Sequence, residues 1–213
     1  MNNLNWKRLG LALMIAFLAC VAVLVIVGGQ KITNLRSALF VGYKAVPIVT
    51  FVVVLFATHG WRLPIFRGWL VPFPDLNGTW DGAIETTWVD PTTNERMAPI
   101  PATLRIRQSF LRISCVMQTG EMISQSFFAG FWIDPENQIR KIGYSYHSTP
   151  SIPLQHRSPP HDGTAVFDIV GDPPRELRGT YWSTRKTTGS ISLSFTSRDR
   201  IESAPTARHS MNR

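Results

Sequence analysis

Leu9–Val27 reads LGLALMIAFLACVAVLVIV, and Ser37–Thr58 reads SALFVGYKAVPIVTFVVVLFAT. The first run carries no charge and almost no polarity. At about 1.5 Å rise per residue, roughly twenty helical residues cross a hydrocarbon core about 30 Å thick, so each run is long enough to span a bilayer. A cleaved signal peptide is the competing reading of the first run, because Met1–Arg8 has the character of a basic leader. The apolar core is longer than the roughly 7–15 residues of a signal h-region, and no small-x-small site follows before Gly28-Gly29-Gln30-Lys31. The pair therefore predicts a membrane hairpin of two transmembrane helices, and everything after it reads as soluble and strand-rich.

The net charge of +8 would suggest a nucleic-acid surface if read alone. Its distribution argues otherwise. Met1–Leu70 holds Lys7, Arg8, Lys31, Arg36, Lys44, Arg62 and Arg67 and no acid, whereas the rest of the chain is almost balanced, with 15 basic and 14 acidic side chains. The excess belongs to membrane flanks, where Lys and Arg meet phospholipid headgroups. A polyanion-binding domain would carry it in the soluble part, so no nucleic-acid polymer is expected as a partner. Lys7, Arg8, Arg62 and Arg67 outnumber Lys31 and Arg36 of the loop between helices, which predicts cytoplasmic termini and a cytoplasmic domain in a bacterial inner membrane. Cys20 and Cys115 offer no disulfide within the soluble domain, in keeping with a reducing compartment. Lys44 and Pro47 interrupt the second run; Lys44 lies about two turns from its start, where snorkelling to the interface competes with a pore-lining or oligomer-contact role.

From Leu76 the period changes to two. Trp80, Gly82, Ile84, Thr86 and Trp88 share one face and Asp81, Glu85 and Thr87 the other; Ile100, Ala102, Leu104 and Ile106 alternate with Thr103, Arg105 and Arg107. Further alternating runs cover Leu111–Met117, Met122–Trp132, Ile139–His147, Thr164–Val170, Leu177–Ser183 and Ser190–Phe195. Turn chemistry separates them, as at Thr119-Gly120, Asp134-Pro135-Glu136-Asn137, Gly171-Asp172-Pro173-Pro174 and Thr188-Gly189. About eight antiparallel strands on short turns predict a small up-and-down β-barrel, a size that encloses side chains or one small ligand. The domain plan is then 1–60 membrane hairpin, 61–75 linker, 76–197 barrel and 198–213 flexible tail. One connection is long, Ser148–Asp162, and loops of that length are usually functional or disordered.

No nucleophile elbow, P-loop or catalytic carboxylate pair appears, and the five histidines have no metal-ligand spacing, so neither an enzyme nor a metal or cofactor site is expected. His161-Asp162 would serve a hydrolase poorly, since neighbours on an extended chain point apart. Trp80 in Asn77-Gly78-Thr79-Trp80 reads equally as a plug of the barrel floor and as a stacking platform for a base. Tyr144 and Tyr146 face together, and Tyr181 and Trp182 face apart. Arg185-Lys186-Thr187-Thr188 is either a solvated turn or a phosphate site, with the Arg fork and Thr hydroxyls as donors.

The order of these pieces carries a resemblance. A two-helix hairpin, then Asn77–Gly82 (NGTWDG), Ile106–Ser109 (IRQS), Gly143–Pro150 (GYSYHSTP), His161–Ala165 (HDGTA) and Gly179–Leu193 (GTYWSTRKTTGSISL) resembles the SMODS-associated two-transmembrane β-strand-rich effectors of CBASS antiphage defence. The likeness runs from Leu9 to about Phe195. It implies a cytoplasmic barrel that binds a cyclic di- or oligonucleotide, assembles into a homo-oligomer in the lipid bilayer and disrupts the inner membrane. Such a ligand has two phosphates and two π-faces, so the expected ligand residues are Trp80, Tyr146, Tyr181, Arg185, Thr187 and Thr188, with pairing of first and last strands bringing Trp80 to the last hairpin. The alternative is a membrane-tethered, lipocalin-like barrel for a small hydrophobic ligand, with a uniformly apolar interior.

Overall fold

The computed structural model describes residues 6–90, 93–155 and 158–198. Two helices come first, α1 (Trp6–Ile26) and α2 (Leu35–Thr58), both long and apolar enough to cross a membrane. No side chain of α1 is buried, and in α2 only Val41 and Ala45 are. A core helix of a soluble protein hides its apolar stripe, so helices this exposed call for a non-aqueous surrounding or a partner. They meet through small groups: a Cβ at Gly42 would lie 3.7 Å from the Phe17 ring, and Cys20 Sγ sits 3.9 Å from the carbonyl of Ala45. Asn34 caps α2, its Oδ1 accepting from the Ser37 amide at 2.9 Å while Ser37 Oγ accepts from the Asn34 amide at 3.0 Å. The Lys44 Nζ donates to Gln30 Oε1 at 3.3 Å in the loop between helices and stands 4.5 Å from the Phe40 ring centre.

The eight strands are β1 (Gly78–Thr86), β2 (Ile100–Gln108), β3 (Ile113–Thr119), β4 (Met122–Asp134), β5 (Ile139–Pro150), β6 (His161–Val170), β7 (Glu176–Ser183) and β8 (Thr188–Ser197). They close in sequence order, each beside the next and β8 back on β1. The sequence expectation of an eight-stranded antiparallel barrel holds. Closure runs from Trp80↔Phe195 to Thr86↔Gly189 and leaves no open edge. Period-two burial fills the interior with Trp80, Leu104, Cys115, Tyr144, Phe167 and Leu193.

Two boundaries differ from the sequence reading. β5 pairs with β6 as far as Ser148↔His161, so the long connection shrinks to Ser151–Pro160, which includes a short 3-10 turn at Ile152–Leu154. β1 stops at Thr86, short of the expected Trp88, with one further amide, of Thr87, still bonded to the carbonyl of Thr188.

By contacts the chain forms two units. One takes everything up to Asp75 with Gln108–Arg112 and Phe131–Gln138; the other is Leu76–Arg107, Ile113–Gly130 and the chain from Ile139 onward. In the first unit the stretch expected as a linker is built: 3-10 turns at Gly60–Arg62 and Pro64–Phe66, then buried Trp61, Val71 and Phe73 packed with Phe110. Phe131 stacks on Phe73 with ring centres 5.1 Å apart, and Phe56 meets Phe66 and Phe110 edge-on. The expected tail lies outside the described residues beyond Arg198, as does His156.

Candidate functional site

Up-and-down closure puts the end of β5, the start of β6, the end of β7 and the start of β8 at one end of the barrel. Tyr146 and Tyr181 both point inward there, and each lies over a glycine of the neighbouring strand. A Cβ at Gly163, the partner of Tyr146, would collide with the Tyr146 hydroxyl; one at Gly189, the partner of Tyr181, would come within 2.7 Å of the Tyr181 ring edge. The glycines are thus the space that the phenol rings occupy. Burial, with Tyr181 adding a smaller effect, pushes the Tyr146 phenol up to about 12. Deeper in, Tyr144 packs 5.9 Å from Tyr146 and stacks on Phe167 at 6.0 Å, and burial raises its phenol well above 10. Cys115 is buried and its thiol is pushed up to about 12 by that burial. At neutral pH these groups are uncharged hydrogen-bonding hydroxyls and an unreactive thiol.

Around the tyrosines the interior turns from hydrocarbon to hydroxyl. Ser124 Oγ donates to Ser148 Oγ at 2.9 Å, and Ser183 Oγ and Thr187 Oγ1 share a hydrogen bond of 2.7 Å. Arg185 stands on the β7–β8 turn and donates through Nη1 to Ser158 Oγ at 2.6 Å, Ser158 being a buried residue of the β5–β6 connection. His161 Nδ1 lies 3.2 Å from the carbonyl of Pro159, which accepts from the tautomer that carries its proton on Nδ1. Burial holds its imidazole below the ordinary 6.5; the Arg185 cation and His147 push the same way, and the Pro159 carbonyl and Asp162 push back. Asp162 is turned to the other side, paired with His147 Nδ1 at 2.7 Å. His161 and Asp162 therefore do point apart, as the extended chain requires.

Of the six residues expected from sequence, this end brings together Tyr146, Tyr181, Arg185 and Thr187. Trp80 is elsewhere. Antiparallel pairing sets the start of β1 against the end of β8, so Trp80 faces Phe195, six residues and about 20 Å along the strand from the Thr86↔Gly189 pair. It is buried, its indole N–H donates to the carbonyl of Leu76 at 3.1 Å, and its ring meets Phe195 edge-on at 5.2 Å. That is the plug arrangement, and the expected approach of Trp80 to the hairpin does not occur. Thr188 is on the outer face: it pairs with outward Trp182, and its Oγ1 lies 2.8 Å from Thr87 Oγ1. Sequence reasoning missed Ser158, Ser183 and Ser148, single serines with no motif. Only the length of the β5–β6 connection drew attention to the region of Ser158.

The end of the barrel thus offers two neutral phenols, several hydroxyls and one guanidinium, a donor-rich set suited to a ligand with phosphates and flat rings. Comparison with known proteins points the same way. The family model described as "Cap15, cyclic dinucleotide receptor domain" matches residues 71–194. The chain is also 25% identical over 148 residues to CD-NTase-associated protein 15 of Staphylococcus schleiferi, covering 70% of this chain and 75% of the relative. A closed eight-stranded barrel behind two apolar helices, matched by that model over most of the barrel, belongs to the Cap15 cyclic dinucleotide receptor domain family.

Proposed function

We propose that the chain is a cyclic-dinucleotide-gated membrane effector of CBASS antiphage defence, with its ligand held at the barrel end that carries Tyr146, Tyr181, Arg185 and Thr187. The observation that carries this reading is that Arg185, on the β7–β8 turn and bonded to Ser158, stands at the barrel end where Tyr146 and Tyr181 face inward. A cyclic dinucleotide presents two anionic phosphates and two π-faces, and this end supplies a planar donor fork, hydroxyls and aromatic rings. The reading is of a receptor that binds without turnover, in keeping with phenols and a thiol that are not activated as nucleophiles. A lipocalin-like carrier of hydrophobic molecules would want hydrocarbon where this barrel has Ser124, Ser148, Ser183 and Thr187.

In this reading α1 and α2 span the bacterial inner membrane, with the barrel and both termini in the cytoplasm where a nucleotide signal is made. Ligand binding favours a homo-oligomer, and the assembled helices breach the bilayer. The apolar side chains of Phe127 and Phe128, 69% and 66% exposed on β4, support self-association of the barrels. Co-expression with an enzyme that makes the cognate cyclic nucleotide tests the whole scheme. Propidium entry should follow the signal within one culture doubling. Intact membranes at saturating signal, with the protein present in the membrane fraction, refute it.

A further inference from the structure

We propose that the collar at the cytoplasmic ends of the helices is itself a membrane-interface anchor, in which barrel turns as well as helix flanks enter the headgroup layer of an anionic bilayer. This rests on the reading of α1 and α2 as membrane-spanning. The collar belongs to one unit and contains two segments from barrel turns, Gln108–Arg112 between β2 and β3, and Phe131–Gln138 at the end of β4.

A hydrogen bond fixes the level of the first segment against α2, and the stack of Phe131 on Phe73 ties the second to the same cluster. The amide of Phe110 donates to the carbonyl of Ala57 at 3.1 Å, in the last turn of α2, where helix carbonyls lack helical partners. Leu111 follows directly and is therefore held within one residue of the helix end. Arg8, in the first turn of α1, donates to the carbonyl of Trp69 at 3.2 Å. If the helices cross a bilayer, these levels are the water–lipid boundary.

The collar's exposed residues have the chemistry of that boundary. Phe73, Phe110 and Trp61 are buried in it, whereas Leu63, Ile65, Trp69, Leu111 and Trp132 are 46–72% exposed. Five large apolar side chains in water would be costly; at the headgroup level their rings and branches are buried. Trp69 satisfies its indole N–H on the carbonyl of Ile65 at 2.6 Å, which leaves an apolar ring to present. Charge complements this surface. Arg8, next to Lys7, is bonded to the Trp69 carbonyl, Arg62 and Arg67 adjoin these residues in sequence, and no acid precedes Asp75, which pairs with Arg62 at 3.7 Å. The second turn segment carries Asp134 and Glu136, so the basic excess lies on the helix flanks. Basic side chains around an aromatic and aliphatic fringe fit an anionic phospholipid interface.

The test places a thiol-linked nitrobenzoxadiazole label at Leu111→Cys, Trp132→Cys or the exposed outer-face control Thr180→Cys, each on Cys20→Ala. Cys115 is buried, with its thiol pushed up to about 12, and does not compete for the label. The full chain is reconstituted in vesicles of phosphatidylethanolamine and phosphatidylglycerol. Lipid spin-labelled at acyl carbon 5 should quench the Leu111 and Trp132 labels about threefold more than the Thr180 label, with blue-shifted emission. Equal quenching at all three sites in carbonate-resistant protein overturns the anchor and leaves the spanning hairpin standing. Extraction by carbonate overturns the hairpin, and the anchor with it. A blue-shifted label that lipid does not quench means that protein covers the face, a second copy included, and overturns the lipid assignment.

Discussion

Arg185→Ala removes from the hairpin end a side chain with a full positive charge and a planar pair of donors. Its present partner is Ser158 Oγ at 2.6 Å, a contact that holds the guanidinium at the rim where Tyr146 and Tyr181 face inward. A hydrogen bond to a charged group is worth about 1.5–3 kcal/mol, so the loss of one phosphate contact should raise Kd by roughly 10- to 160-fold. Folding should suffer little. The buried Ser158 hydroxyl loses a partner, about 1 kcal/mol, in a connection between strands and not in the apolar interior. Arg185→Lys keeps the charge but not the fork, and should fall between the two. Ser158→Ala frees the guanidinium without deleting it and should weaken binding by about two- to tenfold, corresponding to an ordinary hydrogen bond of about 0.5–1.5 kcal/mol. Calorimetry on full-length protein in detergent against a panel of cyclic dinucleotides measures all three, with near-ultraviolet circular dichroism as the check on folding. Wild-type Kd in folded Arg185→Ala would show that the hairpin is only a turn and move the ligand elsewhere.

Binding should also depend on pH through His161, which feels the charges of Arg185, Asp162 and His147. Its imidazole is held below 6.5, so the apo fold loses stability as pH falls from 6.5 toward the depressed value, where the unfolded chain takes a proton that the fold refuses. A phosphate nearby reverses the bias, so affinity should rise between pH 8 and pH 6 in wild type and stay flat in His161→Gln; a flat wild-type profile would place the phosphates away from His161. Gly163→Ala sets a methyl group on the Tyr146 hydroxyl and should cost about 1–3 kcal/mol, read as a lower melting temperature together with weaker binding. An unchanged melt would mean that Tyr146 does not lie across β6.

The barrel was legible because its signal is local. Alternation with period two marks one face of each strand, and Gly, Pro, Asn and Asp mark the turns, so strand number and order follow without knowledge of distant contacts. The errors all concern relations between strands. Trp80 and the β7–β8 hairpin do lie on paired strands, but the antiparallel sense puts them at opposite ends, which the pairing rule alone does not state. Thr188 seemed to continue the Arg185–Thr187 group, yet the turn sets it opposite Trp182 and so on the outer face; a shift of one residue in a hairpin exchanges the faces. Trp61–Pro74 was illegible for a different reason. It has no period to read, and its partners Phe110 and Phe131 lie far along the chain.

A nucleotide at the barrel end can act on the helices only if it binds one of two states more tightly, and some element must differ between those states. β4 is the element the structure offers. Near its start, Ser124 is hydrogen-bonded to Ser148, two residues from Tyr146; near its end, Phe131 stacks on Phe73 with planes 1° from parallel. Phe73 in turn packs against Phe110, whose amide is bonded to Ala57 in the last turn of α2. One continuous strand therefore carries a contact beside the proposed ligand residues and a contact in the helix collar. Phe131→Leu keeps an apolar side chain in the cluster but removes the planar stack, which is worth about 0.5–1.5 kcal/mol beyond its burial. That is comparable to a modest allosteric coupling of about 1–3 kcal/mol. The expected result is cyclic dinucleotide binding within about twofold of wild type, with the ligand concentration for half-maximal dye entry raised about two- to tenfold. An unchanged dose response in a variant that binds normally would exclude the Phe131–Phe73 stack as the route.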